Sequence, residues 1–174
     1  MTPKTTTVTG HSTTPVQARR RTPAWARAEV QEWVDKLTER RLTLGITRAQ
    51  LSRAVDVDEQ TIIEWERHRR QPMLPTFVIF GRVVAMRLGI FVGKRRLTVD
   101  DPPSPDSHWE DAEIYRLTRT LRSRRTATQA DLASKIGVSK RSLNQYESGR
   151  LYPRPTTFVV WTTELASKAR WTRV

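Results

Sequence analysis

Cysteine is absent from the 174 residues, so neither a disulfide nor a thiolate-held metal is available to this chain. The three histidines, His11, His68 and His108, stand far apart and make no ligand spacing such as His-Glu-x-x-His. Glycine is sparse too, seven residues in all, and none are grouped into a loop that would cradle phosphates. No apolar run approaches the roughly 18 residues that span a bilayer. The opening MTPKTTTVTGHSTTP lacks the apolar core of a secretory signal. Acidic residues form the other deficit: 18 stand against 31 Lys and Arg, giving a formal charge of +13 and a pI near 11.2. That imbalance favours a polyanionic partner, nucleic acid ahead of an anionic membrane surface. No carboxylate cluster or nucleophile constellation stands out. The expectation is therefore a non-enzyme with no cofactor, no metal, no membrane and no small-molecule ligand, placed in the cytoplasm with the nucleoid.

What is present is concentrated in Thr128 to Pro155, TQADLASKIGVSKRSLNQYESGRLYPRP. Thr128 suits an N-cap, and Leu132, Ala133 and Ile136 share one face of the short helix that follows. Gly137 suits the left-handed conformation that ends such a helix, Val138 is the pivot of the turn, and Ser139 caps a second helix. This second helix, Lys140 to Ser148, turns Leu143 and Tyr146 inward. Lys140, Arg141, Ser142, Asn144 and Gln145 are left outside, a polar face suited to a DNA major groove. At Thr128-Gln129, Leu132-Ala133, Gly137-Val138-Ser139, Leu143, Tyr146-Glu147, Gly149-Arg150 and Pro153 the stretch resembles the Cro/CI-like (Xre) helix-turn-helix family. The resemblance implies a five-helix DNA-binding domain, and ion pairs Arg41–Glu66 and Arg122–Glu147 that brace it.

The same pattern occurs earlier at a constant offset of 81 residues, from Thr47 to Pro72. Thr47 pairs with Thr128, Leu51 with Leu132, Val57 with Val138, Ile62 with Leu143, Trp65 with Tyr146, Glu66 with Glu147 and Phe77 with Phe158. A gapless register of this length points to internal duplication. Three substitutions set the first copy apart: Arg48 stands for the Gln, Asp56 for the turn Gly and His68 for the second Gly. Asp tolerates a left-handed position at modest cost, so the fold should survive.

Four segments follow. Residues 1–23 read as a disordered basic tail, either solvated or an arm reaching a phosphate or minor groove. Residues 24–93 form the first helix-turn-helix domain, opening on a helix with Trp25, Val30, Trp33, Val34 and Leu37. Residues 94–108 form a Pro-rich linker, and residues 109–174 the second domain, with Ile114, Leu117 and Leu121 on its first helix. The apolar runs Phe77–Phe80 with Val83 to Leu88, and Phe158–Trp161 with Leu165 and Ala166, read as closing helices. The fold class expected is all-α, two tandem small helix-turn-helix (lambda-repressor-like) domains. By segment the charge is +4, +2, 0 and +7, so basicity gathers in the tail and the second copy.

Base reading falls to the second helix of each motif. Lys140 and Arg141 suit guanine, and Asn144 and Gln145 suit adenine. In the first copy Gln60 suits adenine, Thr61 and Ile63 a thymine methyl, and Glu59 or Glu64 cytosine N4. Glu59 serves equally as an acid at a helix N-terminus. Phosphate contacts are expected from Thr47, Arg48, Thr128 and Gln129 at the start of the first motif helix. Arg67, Arg69, Arg70, Arg150 and Arg154 supply others from the loops behind the reading helices. Two unlike reading helices imply an asymmetric site, and the linker is long enough, roughly 50 Å extended, to let both copies reach successive turns about 34 Å apart. The role expected is a transcriptional repressor of bacterial, phage or mobile-element origin. Double-stranded DNA is the partner, with RNA polymerase or a second copy of the chain as further ones. The alternative is an antitoxin-like interaction protein that binds DNA through the second copy only.

Overall fold

The computed structural model describes residues 22–98 and 109–174. The expected N-terminal tail up to residue 21, and the proline-containing stretch 99–108, lie outside the described residues. Eight helices and three strands occur among those described.

The first half begins after Pro23 with α1 (Ala24–Thr43). Ala26, Val30, Trp33, Val34, Leu37 and Arg41 are buried along one stripe at helical spacing, while Trp25, expected in that stripe, is exposed. Gly45, at φ +66°, turns the chain out of α1. Next come α2 (Arg48–Val55) and α3 (Glu59–Glu66), each started by a side-chain cap. Thr47 accepts from Gln50 N while Gln50 Oε1 accepts from Thr47 N, a reciprocal box; Asp58 accepts from Thr61 N. Each such cap is worth about 1 kcal/mol. Then follow α4 (Leu74–Val83), with proline in its first turn, and the strand β1 (Met86–Val92), which hairpins into β2 (Arg95–Arg96).

The second half repeats the plan. Its elements are α5 (Trp109–Ser123), α6 (Gln129–Ile136), α7 (Lys140–Glu147), α8 (Pro155–Glu164) and β3 (Lys168–Arg173). The bounds of α6, α7 and α8 are those of α2, α3 and α4 moved on by the same 81 residues. Three left-handed positions recur with them: Asp56 and Gly137, His68 and Gly149, Ala85 and Ala166. Asp56 thus holds, at φ +53°, the turn that glycine makes in the second half at φ +75°.

The expectation of an all-α chain with closing helices is corrected by the sheet. Val83 to Leu88 do not continue one helix: α4 stops at Val83, Ala85 takes φ +53°, and Met86–Val92 extends as a strand. In the second half α8 ends at Glu164, and Ala166 at φ +49° turns the chain into β3. Leu88 and Ile90 alternate with Arg87 and Gly89, a period-two pattern that suits a pleated surface better than a helix face. The sheet order is β2-β1-β3, all antiparallel, with Gly89 opposite Arg170 and Leu88 opposite Trp171. The first residues of the segment expected as linker therefore belong to the sheet, with Leu97 N donating to Ile90 O at 2.8 Å. Both edge strands carry Lys or Arg, which discourages further strand pairing.

The halves share one core. Trp171 of β3 packs into the first half, 6.3 Å from Trp33 and 6.4 Å from Phe77 between ring centroids. Gly81 makes room for it: a Cβ there would lie 2.1 Å from Trp171 Cζ3. In the second half Trp161 is fully buried against Tyr146. Fully buried Leu51, Ile62, Phe77, Leu117, Leu143 and Phe158 each contribute about 1.5–3 kcal/mol through removal from water. Helix α1 packs on α8 and α4 on α5, so each half covers the other.

Candidate nucleic-acid interface

The best-formed candidate surface is α7. Leu143 is fully buried beneath it, and Ser139 Oγ caps it by accepting from Ser142 N at 3.0 Å. Lys140, Arg141 and Asn144 are exposed and Gln145 is half-buried on the same outer side. Ser142 is half-buried, with its hydroxyl 2.8 Å from Ser139 Oγ. The outer surface thus offers two cations and two amides in a row. These groups can donate to guanine O6 and N7 or pair with adenine N6 and N7.

The matching surface of α3 differs in sign. Glu59 and Gln60 are exposed, and Ile63 and Glu64 are half-buried. Thr61, expected to touch a base, is instead buried with 8% exposure, and its hydroxyl donates to Asp58 Oδ2 at 3.0 Å. Its role is to hold the cap. Hydrogen bonds from the Thr61 backbone N–H and hydroxyl keep the Asp58 carboxyl below the usual range, so it stays ionised. Asp56, Asp58 and Glu59 therefore put three exposed acids around the start of α3, where the second half has Gly137, Ser139 and Lys140. An acid there is favourable for the helix dipole and unfavourable for an approaching phosphate.

Behind the outer faces of α3 and α7 sit two buried glutamates. Glu66 takes Arg41 at 2.7 Å, as the family resemblance implied, and also Arg48 at 2.7 Å. Arg41 is 4% exposed and Arg48 47%, so Arg41 is a brace while Arg48 leaves a net positive charge at the surface near the start of α2. In the second half the expected partner is corrected: Arg122 is exposed, and Glu147 has Arg125 Nε at 3.2 Å and accepts from Gln129 Nε2 at 2.7 Å. Helix α5 ends at Ser123, and the turn after it brings Arg125 back over α7. Leu44 occupies the equivalent place in the first half, which is why the repeat alignment conceals Arg125.

The expected phosphate contacts fall into two groups. Thr47 and Thr128 are N-caps, Thr128 Oγ1 also donating to Asp131 Oδ2 at 2.6 Å, and Arg48 and Gln129 are engaged with the buried glutamates. Arg67, Arg69, Arg70, Arg150 and Arg154 are all exposed in the loops that follow α3 and α7. Those loops are anchored: His68 Nε2 lies 3.0 Å from Asp35 Oδ1, and the Tyr152 hydroxyl donates to Asp111. Burial and that acidic partner push the Tyr152 hydroxyl up to about 12.

Among the described residues no group of His, Asp and Glu could hold a metal, and no helix is long and apolar enough to cross a membrane. A cleft of about 340 Å³ between the halves is lined by Val78, Met86, Leu88, Trp109 and Trp171, with Glu113 already paired to Arg87 and Arg116.

Comparison with family descriptions finds a helix-turn-helix domain at residues 116–160. The match runs from within α5 to within α8 and contains the α6–turn–α7 unit whole, so this region is a helix-turn-helix domain and DNA is the partner it supports. Neither the curated proteins nor the solved structures provide a match.

Proposed function

We propose that the chain is a sequence-specific double-stranded DNA-binding transcriptional regulator of the Cro/CI-like kind. In this reading both halves are helix-turn-helix units, α7 and α3 are unlike reading helices, and the site is asymmetric. Repression is the simplest output, since occluding a promoter needs only binding, and an origin in a bacterium, phage or mobile element fits the family resemblance. The observation that carries the reading is the outer face of α7, where Lys140, Arg141 and Asn144 stand exposed over a buried Leu143. The loop arginines, Arg67, Arg69, Arg70, Arg150 and Arg154, supply the phosphate contacts that set register.

A second reading is favoured by Asp56, Asp58 and Glu59 around the start of α3: the first half then meets a protein, and only the second half meets DNA. Selection of bound duplexes from a random library at about 150 mM salt, where phosphate attraction alone does not dominate, decides between them. Two distinct blocks support two readers. The variants Gln60→Ala with Glu64→Ala, and Arg141→Ala with Asn144→Ala, should then each relax one block, with about 1–3 kcal/mol lost per base contact. If only the Arg141/Asn144 pair alters binding, α3 is no reader and the second reading stands. Thr61 is left intact because it is buried.

A further inference from the structure

We infer that the two reading helices are carried on a single rigid body with an internal two-fold axis, so the two DNA half-sites are inverted with respect to each other and fixed in spacing. This inference rests on the two-reader proposal above, and adds an orientation that sequence alone does not give. Duplicated units joined by a linker would ordinarily follow one another along a duplex in the same direction. The sheet register excludes that arrangement here.

Gly89 and Arg170 are equivalent positions of the two halves, one repeat apart, and they stand directly opposite each other in the β1–β3 ladder. The flanking pairs follow the same rule. Leu88↔Trp171 becomes Ala169↔Ile90 when each residue is replaced by its counterpart, and Ile90↔Ala169 is the pair observed. A register that maps onto itself in this way has a two-fold axis normal to the sheet, through the Gly89–Arg170 pair. Helix packing obeys the same operation, since α1 on α8 becomes α5 on α4. An axis normal to the sheet leaves α3 and α7 on the same side of it, at the same height and running in opposed directions. That is the placement a duplex needs, because its own backbone has two-fold symmetry.

Four interlocks keep the halves from turning independently. Trp171 of the second half is 3% exposed in the first-half core. Arg87 of β1 forms a two-pronged pair with Glu113 of α5, at 2.9 and 2.8 Å. Lys168 of β3, the counterpart of Arg87, reaches Glu29 of α1 at 3.2 Å. Arg82 of α4 also lies over the Trp109 ring of α5 at 4.3 Å.

The test makes the two reading faces alike in the full-length chain. Glu59→Lys, Gln60→Arg, Thr61→Ser, Ile63→Asn and Glu64→Gln give α3 the side chains of α7, with Thr61→Ser retaining a hydroxyl for the Asp58 cap. Selection from a random duplex library should then return a palindrome at one spacing. A direct repeat overturns the inversion while leaving two readers in place. A single block removes the two-reader premise, and with it this inference. If the grafted chain unfolds, the native chain supplies the second measurement. Inserting about 5 base pairs, half a helical turn, between the two blocks of its selected site should weaken binding at least about a hundredfold. Unchanged affinity means the halves move independently and overturns the rigid body.

Discussion

Ala85 and Ala166 hold left-handed backbone with no side-chain hydrogen bond to compensate, each at the step from helix to strand. For an L-residue this conformation costs roughly 1–2 kcal/mol, and the extra freedom of an unfolded glycine returns about 0.5–1 of that. Ala85→Gly and Ala166→Gly should therefore each stabilise the chain by about 0.5–1 kcal/mol, read as a rise in denaturant midpoint at unchanged slope. Gly149→Ala should do the opposite, because its φ is +71° and a Cβ would meet Tyr115 Cδ2 at 2.9 Å. The buried glutamates make a second contrast at this scale. Glu66→Ala strands Arg41, which is 4% exposed, and should cost about 3–5 kcal/mol. Glu147→Ala strands Arg125, which at 24% exposure keeps some of its water, so its loss in the same denaturation series should be the smaller. Much at this scale was legible in the sequence. The caps Thr128 and Ser139 depend on local spacing, Thr47 and the turn at Asp56 follow from the repeat, and the Arg41–Glu66 pair, 25 residues apart, was implied only by the family resemblance. Arg125 was not legible, because its reach depends on where α5 ends rather than on the repeat.

At the scale of elements, the two motif helices of the second half lie where period and capping place them to within a residue, whereas the first residues of β1 suit a closing helix on sequence alone and no local pattern marks β3 as an element. Their sequences, MRLGIFV and KARWTR, are short, and neither strand has a hydrogen-bonding partner within its own motif apart from the brief β2. Each becomes a strand because the other half supplies its neighbour, and nothing local in the sequence announces that. The reversal of the chain at Ala85 was equally hidden, since alanine is a helix former in almost any local reading. What makes the pairing specific is the fit of α4 to β3. Gly81→Ala should push Trp171 from its place beside Phe77 and cost about 1–3 kcal/mol, as overpacking of a filled core does. Pairing it with Trp171→Leu, which frees the space the methyl needs, should recover part of that loss; a double-mutant cycle in thermal unfolding with no coupling would remove the fit as the cause.

The whole molecule should behave as one folding unit, since the first half borrows a core residue from the end of the second. Glu113 reports on this union through pH. Burial pushes its carboxyl up, but hydrogen bonds from Arg87 and Arg116 outweigh that and hold it below the usual carboxylate range. A lowered folded value stabilises the fold above the unfolded value, and this contribution is lost as the pH falls through the folded value. The native chain should accordingly lose stability below about pH 4.5, and Glu113→Gln should show a flatter dependence there with a lower plateau at neutral pH. The stronger test removes residues 168–174. If the halves were independent, this would loosen only the second. Because β3 carries Trp171 to Trp33 and Phe77, and Lys168 to Glu29, the truncated chain should lose amide exchange protection in α1 and α4 of the first half as well. Protection retained in α1 and α4 alone would show that the first half folds without its neighbour, and that the shared sheet joins two finished units.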